Sequence, residues 1–440
     1  MSLSCLRKLR YNNAMIRAHV IALDPTVKQA IYFARACGVA RFAYNYALAE
    51  WKRQYEAGEK PSANKLKAQW NAIRGNEFPW SKQVTKCASG QAIMNLGKAF
   101  SNFFRDLKKP AGGRKARFPK FKKKGQNDSF AIWNDQFEVD GQRIKIPKLG
   151  WVRMREALRF DGKIMGGTVR KSGHRWFVSI QVETADPTAA HPAPGSVVGV
   201  DLGISCLMAL SRPLPDGRTK IDNPKPLRKA MRRVKKLSRR CSRQEEERKR
   251  HNAKTSRRAL KRRASLARVH ARVANIRRDV IHKATTAVAN AFETVVLEDL
   301  HVAGMVKNHR LAGSIHDAAW GEVRRQTEYK TAMRGGRTVI ADRFFASSKI
   351  ASCCGHRMEK MPLSIREWAC PACGVVHDRD INAAINLEQI VVGATNAEPS
   401  SGDPVATHGE IAALAAPQGA VKLRSKNREY NRRATLARSL

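Results

Sequence analysis

Acidic residues, aromatic residues and long apolar runs are scarce in this sequence. Its 440 residues hold 37 Asp and Glu against 83 Lys and Arg, and the net charge is +46. We find no run of about 18 apolar residues, which a membrane-spanning helix needs, and no signal peptide with an apolar core. Self-repulsion of this size is tolerable when an anionic partner neutralises it. We therefore expect a nucleic acid, rather than a membrane, as the partner.

Cysteine is also used in a way that excludes a disulfide scaffold. The nine cysteines are an odd number, and five of them are scattered along the chain without framework spacing. This pattern predicts a reducing compartment. The other four lie between Cys353 and Cys373, and only this cluster predicts a metal. The scattered residues are Cys5, Cys37, Cys87, Cys206 and Cys241.

The periodicity of apolar residues predicts two kinds of structure in the first half. Residues 16–24 alternate as a strand does, and helical spacing follows from Val27 to about Leu107. Short strands separated by Asp-Gly and Ser-Gly turns are predicted over 129–183. A Pro- and Ala-rich linker then runs to about Gly195. This order predicts a small barrel with a helical insertion.

Two strongly basic stretches are candidates for binding a nucleic-acid backbone. The stretch "GGRKARFPKFKKKG" is either a solvated loop or a strand edge that places cations on phosphates. Residues 225–263 hold 19 Lys and Arg, and an apolar stripe follows from Leu266 to Val288. We predict one long helical element over 225–290. The candidate contacts are Lys120, Lys122, Lys123, Arg232, Arg233, Lys235, Lys236, Arg239 and Arg240.

Carboxylates at the ends of predicted elements indicate a second kind of metal site. Asp201 follows the buried-type strand "VVGV", and Glu298 with Asp299 follows "TVVL". Asp378 and Asp380 stand where a helix begins. Each carboxylate alone could equally be a turn residue or a helix cap. Three from separate elements could hold two Mg²⁺ about 3.5–4 Å apart and promote phosphodiester hydrolysis.

The segments "GVDLGIS", "VVLEDL" and "CPACGVVHDRDINAAINL" carry a family resemblance. In this order they resemble the RuvC-like nuclease core of TnpB (OrfB) proteins from bacterial insertion sequences, which are related to compact type V CRISPR effectors. The "RFPKFKKK" stretch, the basic helix and the "SSK…CG" block also match. The resemblance covers about residues 16–390.

The resemblance implies an α+β multidomain fold. A small wedge-type β-barrel with a helical recognition insertion precedes an RNase H-like (RuvC) α/β domain with a zinc-knuckle insertion. The expected boundaries are 1–15 for an N-terminal extension, 16–25 and 112–184 for the barrel, 26–111 for the helical insertion, 185–195 for a linker, 196–346 and 375–392 for the RuvC-like domain with its basic helix at 225–290, 347–374 for the zinc knuckle, and 393–440 for a disordered basic tail.

The implied activity is RNA-guided cutting of double-stranded DNA beside a short adjacent motif. A guide RNA encoded at a transposon end, one or two protein copies on that RNA, and a cytoplasmic, nucleoid-associated location in bacteria follow from the same resemblance. Matched to the family, the metal-binding triad is Asp201, Glu298 and Asp380, with Asp299 and Asp378 secondary. Candidate readers of the adjacent motif are Lys52, Arg53, Lys65 and Lys67.

Two other functions fit the same residues. One is a catalytically weak or silent RNA-guided DNA-binding protein, and the other is a transposition accessory protein without a guide. A DDE-type transposase also uses an acidic triad. The glycine at position 203 and the placement of "RDINAA" directly behind the cysteine block favour the RuvC arrangement.

The cysteine block departs from the family pattern at one position. The family pattern is SSK-x-C-x-x-C-G, and here Ala351 replaces its first cysteine, which leaves Cys354, Cys370 and Cys373 in register. A structural zinc normally takes four protein ligands. The fourth could come from the adjacent Cys353, or from His356 or His377. A three-ligand site, or loss of zinc with packing around Trp368, stays open.

Overall fold

The computed structural model describes residues 14–110, 117–185, 191–362 and 364–396. The predicted tail beyond residue 396, most of the N-terminal extension and the middle of the linker lie outside these residues. The chain forms two compact units. Of the described residues, the first unit contains 14–25, Glu138–Ile144 and those from Trp151 to position 396, and the second contains Thr26–Phe137 and Lys145–Gly150.

The described residues contain runs of helices and runs of short strands. The helices are α1 (Val27–Glu56), α2 (Ala63–Ile73), α3 (Lys86–Leu107), α4 (Pro226–Arg250), α5 (Arg257–Ala291), α6 (Val302–Met305), α7 (His309–Ala318), α8 (Trp320–Ala332) and α9 (Arg379–Asn396). The strands are β1 (Ala14–Leu23), β2 (Ser129–Trp133), β3 (Glu138–Asp140), β4 (Arg143–Ile146), β5 (Gly150–Arg153), β6 (Lys163–Ser172), β7 (Arg175–Ala185), β8 (Val197–Asp201), β9 (Cys206–Leu210), β10 (Lys220–Asp222), β11 (Thr294–Leu297), β12 (Arg337–Ile340), β13 (Glu367–Ala369) and β14 (Val376–Asp378).

Antiparallel strands open the first unit. Strand β7 pairs with β1 on one side and with β6 on the other. The β6–β7 hairpin turns at Gly173, whose φ of +59° is a conformation that glycine adopts at little cost. This is the hairpin predicted from the Ser-Gly dipeptide. Alternate side chains of β7, including Val178 and Ile180, are fully buried.

A five-stranded mixed sheet forms the centre of the first unit. Its order is β10-β9-β8-β11-β12, with β8, β11 and β12 parallel and β9 and β10 antiparallel to their neighbours. Strands β9 and β11 are buried at every position, which explains their continuous apolar runs. Val198, Val200 and Ile281 belong to one core cluster of this sheet and its covering helices.

Helix α9 lies directly against strand β8 because Gly199 has no side chain. A Cβ placed on Gly199 would lie 1.9 Å from the Ala384 carbonyl oxygen and 2.6 Å from the Glu388 nitrogen. Ala384 and Leu387 are fully buried in the same helix. This close approach fixes the start of α9 relative to the end of β8.

The basic region forms two helices, and the prediction of one helical element over 225–290 was wrong. Helix α4 ends at Arg250, Asn252 takes the left-handed conformation with φ +46°, and the Ser256 side chain accepts a hydrogen bond from the Ala259 amide to begin α5. A left-handed Asn followed by a Ser N-cap is a common way to end one helix and start another. Contacts of Glu245 with Arg263 and of Asp317 with both Leu227 and Arg277 show that α4 and α5 run antiparallel.

The second unit contains the helices α1, α2 and α3. Helix α1 begins with a capping box, in which Thr26 and Gln29 satisfy each other's backbone amides. Helix α2 buries Leu66 and Trp70, and the Trp70 ring stacks on Phe78 at a centroid distance of 5.5 Å. The sequence periodicity did not separate α2 from its neighbours.

The "RFPKFKKKG" stretch of the second unit is irregular over residues 117–124, and the predicted strand edge was wrong there. Phe118 packs edge-on against Phe100 and Phe103, with ring centroids 5.5 and 5.4 Å apart. Phe121 is 50% exposed. Packing of one phenylalanine therefore attaches this basic loop to helix α3.

None of the helices in the described ranges combines the length and apolarity that spanning a bilayer requires.

Candidate functional site

Asp201 and Glu298 lie next to each other at the ends of two parallel strands. Strands β8 and β11 pair in register, with Val200 opposite Leu297, so the next residue of each strand is the carboxylate. Both strands are buried on both faces up to this point, which holds their ends rigidly. The Ser347 hydroxyl donates a hydrogen bond of 2.7 Å to Glu298 Oε1. The strand ends thus bring the first two predicted residues together.

Asp380 joins them from the first turn of helix α9. Its side chain is 15% exposed and lies within hydrogen-bond reach of two neighbours. The Cys206 thiol donates to Asp380 Oδ2 over 3.7 Å, and Arg366 Nη1 lies 3.3 Å from Oδ1. The positive end of the α9 dipole also favours a carboxylate at this position.

The electrostatics of Asp201 show how close the three carboxylates are. Burial, followed by the negative charges of Glu298 and Asp380, raises the pKa of Asp201 well above its usual range. A hydrogen bond with the Glu298 carboxyl raises this pKa further, while Arg379 lowers it. Carboxylates that share a site behave in this way because adjacent negative charges cannot all ionise without a cation. The grouped carboxylates therefore favour the binding of a cation.

Asp299 and Asp378 point to other partners. Asp299 pairs with Arg324 at 2.9 Å and with Arg343, and the hydrogen bond from Arg343 holds the pKa of its carboxyl below the usual range. Asp378 accepts backbone hydrogen bonds from Asp380 and Ile381 at 3.1 and 3.0 Å, which caps α9. Lys220 Nζ lies 2.5 Å from the other oxygen of Asp378.

Several neighbours of the carboxylates carry no motif that sequence reasoning could single out. The Cys206 thiol is buried, and burial together with Asp380 and Asp201 raises its pKa to about 11, so it stays protonated as a hydrogen-bond donor. Arg379 is 9% exposed and donates to the Pro362 carbonyl at 2.9 Å. Cations and donors therefore surround the carboxylates on several sides.

Four cysteine sulfurs come together in the segment between β12 and α9. The ligand atoms of Cys353, Cys354, Cys370 and Cys373 all lie within 4.8 Å of one another. The Cys353–Cys373 and Cys354–Cys370 sulfur distances are 3.1 and 3.5 Å. Four thiolates at about 2.3 Å from a zinc ion lie about 3.8 Å apart, so this donor set fits a tetrahedral zinc.

Cys353, and not Ala351, completes the set. Ala351 is fully buried and packs with Trp368 and Cys370 in a small apolar cluster. His377 Nε2 lies 3.1 Å from the Cys353 sulfur, which puts this histidine beside the cysteines rather than at the carboxylates. Burial alone would raise the pKa of Cys370, but hydrogen bonds from the amides of Ala372 and Cys373 and with the thiols of Cys354 and Cys373 together lower that pKa to about 7. The cysteine cluster can bind zinc.

Two buried asparagines tie the start of the cysteine segment to helix α9. Asn382 donates to the Ile350 carbonyl at 2.7 Å and accepts from the Ser352 amide at 2.8 Å. Asn386 donates to the carbonyls of Ser347 and Ile350 at 2.7 and 2.6 Å. The helix that carries Asp380 is therefore held by the same segment that leads into the cysteines.

Helix α4 presents cations to solvent. The six α4 residues that are predicted to contact a nucleic-acid backbone are exposed, and none forms an ion pair with a carboxylate of the described part of the chain. The N-terminus of α4 is anchored by Asp317, which is 4% exposed and accepts from the Leu227 and Arg228 amides. The six residues are Arg232, Arg233, Lys235, Lys236, Arg239 and Arg240.

In the second unit, the Lys and Arg residues that are predicted to bind nucleic acid differ in their exposure and in the contacts that they already make. Lys120, Lys122 and Lys123 are exposed, with Lys122 Nζ 4.1 Å from the Tyr44 ring centroid. Of the candidates in the helices, Lys52 lies over the Phe118 and Phe121 rings, Arg53 pairs with Glu50 at 2.6 Å, and Lys67 lies over Trp133 at 4.8 Å. Lys65 is exposed.

Three family models match separate parts of the chain. The model described as "Probable transposase" of the IS605 OrfB type matches residues 179–309. A Cas12f1-like TNB domain matches 320–387, which contains the cysteine cluster. A model described as an IS605 OrfB helix-turn-helix domain matches 15–60, where the structure has strand β1 followed by the single long helix α1.

Curated proteins are similar over most of the chain. "Putative RNA-guided DNA endonuclease InsQ" of Escherichia coli (strain K12) is 33% identical over 84% of this chain and 91% of its own length. A "Putative RNA-guided DNA endonuclease" of Streptomyces pristinaespiralis is 34% identical over 84% of this chain and 88% of its own.

A solved structure, "Cryo-EM structure of the Cas12f1-sgRNA-target DNA complex", has a similar fold. It matches with a TM-score of 0.50 and 16% identity, and the match covers 82% of this chain and 83% of that one. The chain therefore has a compact Cas12-like fold of mixed α and β structure.

Proposed function

We propose, because this chain belongs to the TnpB (OrfB) family of insertion-sequence proteins, that it is an RNA-guided endonuclease that cuts double-stranded DNA beside a short adjacent motif. The observation that carries the proposal is the close grouping of Asp201, Glu298 and Asp380. The names of its relatives supply the guide RNA and the DNA target as expected partners. The origin of the guide at a transposon end follows from the family.

The nuclease domain is proposed to be RNase H-like (RuvC), with the cysteine segment inserted before its last helix. The order of the central sheet supports this assignment, since the antiparallel strands β10, β9 and β8 continue into the parallel strands β11 and β12, with the carboxylates at the ends of the adjacent strands β8 and β11. The strands β1, β6 and β7 are proposed to belong to the wedge-type barrel, and α1–α3 to the recognition insertion.

Asp201, Glu298 and Asp380 are proposed to hold two Mg²⁺ ions. Their oxygens are the hard ligands that this ion prefers, and the raised pKa of Asp201 marks a place where a cation is needed. A pair of such ions held by these residues would supply activation of a water molecule and stabilisation of the leaving oxygen of a phosphodiester.

Residues around the triad are proposed to position it. The Cys206 thiol and the Asp378-capped helix start orient Asp380, and the Ser347 hydroxyl orients Glu298. Lys220 neutralises Asp378, so that this carboxylate does not compete for a cation. Arg366 reaches Asp380 from a loop of the cysteine segment.

A structural zinc is proposed for Cys353, Cys354, Cys370 and Cys373. Its role is to hold the segment that Asn382 and Asn386 connect to helix α9. Positions in a metal site tolerate little looseness, so a firm zinc segment helps to keep Asp380 in place.

Guide pairing would supply the sequence specificity, so the protein mainly needs to hold nucleic-acid backbones. The exposed cations of α4 and the loop cations Lys120, Lys122 and Lys123 are proposed for this task, as is much of the +46 charge. The proposed location is the bacterial cytoplasm beside the nucleoid.

The test begins with the RNA that co-purifies with the full-length protein. We expect a defined guide RNA, and we expect cutting of a matching DNA duplex in Mg²⁺ when the adjacent motif is present. Target-dependent binding without product, in Mg²⁺ and in Mn²⁺, would instead identify a silent RNA-guided binder. A preparation without any specific RNA would identify an accessory DNA-binding protein.

A further inference from the structure

A large cationic pocket in the first unit takes no part in the proposed nuclease site. Its volume is about 780 Å³, which is within the range of small-ligand sites. It lies between the start of β1, the segment around Phe160 and the end of helix α8. The lining includes the cations Arg17, Arg159, Lys330 and Arg334, and it includes no Asp or Glu.

The cations of this pocket repel one another. Burial, followed by the positive charges of Arg334 and Arg325, lowers the pKa of Lys330 to about 8. Burial likewise lowers the pKa of Arg334, to which the positive charge of Arg17 contributes. Two carboxylates influence the charges of these pocket residues: Glu156 acts on His19, and Glu322 acts on Lys330. Glu156 is already paired with Arg159, however, and Glu322 is paired with Arg325. This excess of positive charge favours the binding of an anion.

Two buried polar atoms at the pocket form no hydrogen bond with the described residues. Arg17 Nε is buried without a hydrogen bond, while the guanidinium lies 5.5 Å from the centroid of the Phe160 ring. His19 is 7% exposed, and its Nε2 is likewise unsatisfied, since Glu156 Oε1 is 3.6 Å away. Unpaired buried polar atoms cost free energy, so they mark a place where a ligand would supply the missing bonds.

Aromatic rings accompany the charges. Phe160 meets His19 edge-on at 6.0 Å, and Tyr329 lines the wall from α8. Lys330 is not free to bind, because its ammonium already donates to His282, Thr285 and Thr286. Arg334 already donates from Nε to Asn290 and from Nη1 to the Lys330 carbonyl at 3.3 Å, and His19 Nδ1 accepts from the Arg159 amide at 3.3 Å. The groups left for a ligand are therefore the Arg17 guanidinium, Nη2 of Arg334, Nε2 of His19 and the two rings.

We propose that this pocket binds one unpaired nucleotide of an RNA chain, with the phosphate on Arg17 and Arg334 and the base against the rings of Phe160 and Tyr329. Unstacked bases held by aromatic and arginine side chains are typical of RNA recognition, whereas the bases of a DNA duplex are paired and stacked. The inference rests on the proposed function, because that function supplies the RNA.

The first test is ultraviolet crosslinking of the wild-type, full-length protein with its co-purified RNA, read by mass spectrometry. We expect a ribonucleotide on the peptides that contain Phe160 or Tyr329. The same experiment with single-stranded DNA distinguishes the two polymers. A crosslink to DNA alone, or no crosslink on these peptides, would overturn the proposal without needing any variant.

The second test measures RNA affinity in the variants R17A and F160A. We expect binding to weaken by roughly fivefold to a hundredfold for each, as for loss of a stacked base or a phosphate contact. The control is R155A, whose exposed guanidinium lies 3.6 Å from Asp24 and outside the pocket, and it should bind as the wild type does. R17K and F160L, with melting curves, separate loss of contact from loss of folding.

The outcomes separate this inference from the proposed function. If R17A and F160A keep wild-type affinity while the protein retains RNA, the pocket assignment falls and the RNA-guided function stands. If the wild-type protein carries no RNA, both fall.

Discussion

At the scale of single residues, Ala351 removes one cysteine of the family pattern, and Cys353 supplies a sulfur to the cluster in its place. The family position at 351 is alanine here, and the structure buries that alanine against Trp368. The adjacent Cys353 brings its sulfur to the other three. The sequence leaves open a fourth ligand from Cys353 or a histidine, a three-ligand site and loss of zinc, because the path of the loop decides which donor reaches the cluster.

We expect the variant C353S to bind less zinc than the wild type, because a hydroxyl is a poor zinc ligand beside three thiolates. The measurement is zinc per chain in purified full-length protein by elemental analysis, with about one zinc expected for the wild type. The control is C241S, a half-buried cysteine on helix α4. Full zinc in C353S together with loss of zinc in H377A would assign the fourth ligand to His377 instead.

Asp378 and Asp380 illustrate the limit of residue-level reasoning from sequence. Both stand in "HDRD", and either could be a helix cap or a metal ligand. In the structure Asp378 caps α9 and pairs with Lys220, while Asp380 faces Asp201. The partner of Asp378, Lys220, is 158 residues away in the chain, so no local pattern could identify it.

At the scale of elements, the contact between strand β8 and helix α9 is the one on which the site geometry depends. Strand β8 delivers Asp201 and helix α9 delivers Asp380, and the two meet at Gly199, where a side chain would overlap the Ala384 carbonyl. The buried strand and the amphipathic helix are both visible in the sequence. Their close contact is not visible in the sequence, although a glycine inside a buried strand often marks a place where another backbone segment approaches closely.

We expect G199A to destabilise the protein by about 3 kcal/mol, because the helix must move away from the strand. DNA cutting should fall as well, since Asp380 moves with α9. Thermal melting and a cleavage assay measure the two effects. The control is G313A in helix α7, where a Cβ meets nothing within 4 Å, and it should melt at or slightly above the wild-type temperature. Equal melting of G199A and wild type would contradict the contact.

The basic helices show where element-level prediction failed. The cation run covers α4 and the first turns of α5, whereas the apolar stripe lies in α5 alone, and the two helices pack antiparallel after the break at 251–256. The signals were present, as Asn252 and the N-cap Ser256. They were outweighed by the continuous charge pattern, which carries no information about where a helix ends.

At the scale of the whole molecule, composition alone indicated a nucleic-acid partner, and the motif order indicated the family. What composition could not reveal is the proposed nucleotide pocket, which joins β1 near residue 17 with the end of helix α8 and the turn that follows it near residue 334. Its residues are common types at uninformative spacing. Sites assembled from distant segments become visible only when the fold brings the segments together.

The central claim is that Asp201, Glu298 and Asp380 together hold the metal ions that cut DNA. The most direct measurement is target cleavage by D201N in Mg²⁺, with RNA retention and DNA binding measured on the same preparation. D299N is the matched control, because Asp299 directly follows the triad residue Glu298 in the chain but pairs with Arg324 and Arg343. The account predicts that D201N cuts at least about a hundredfold more slowly than the wild type while it binds RNA and target normally. It also predicts that D299N still cuts. Cleavage by D201N at the wild-type rate would contradict it.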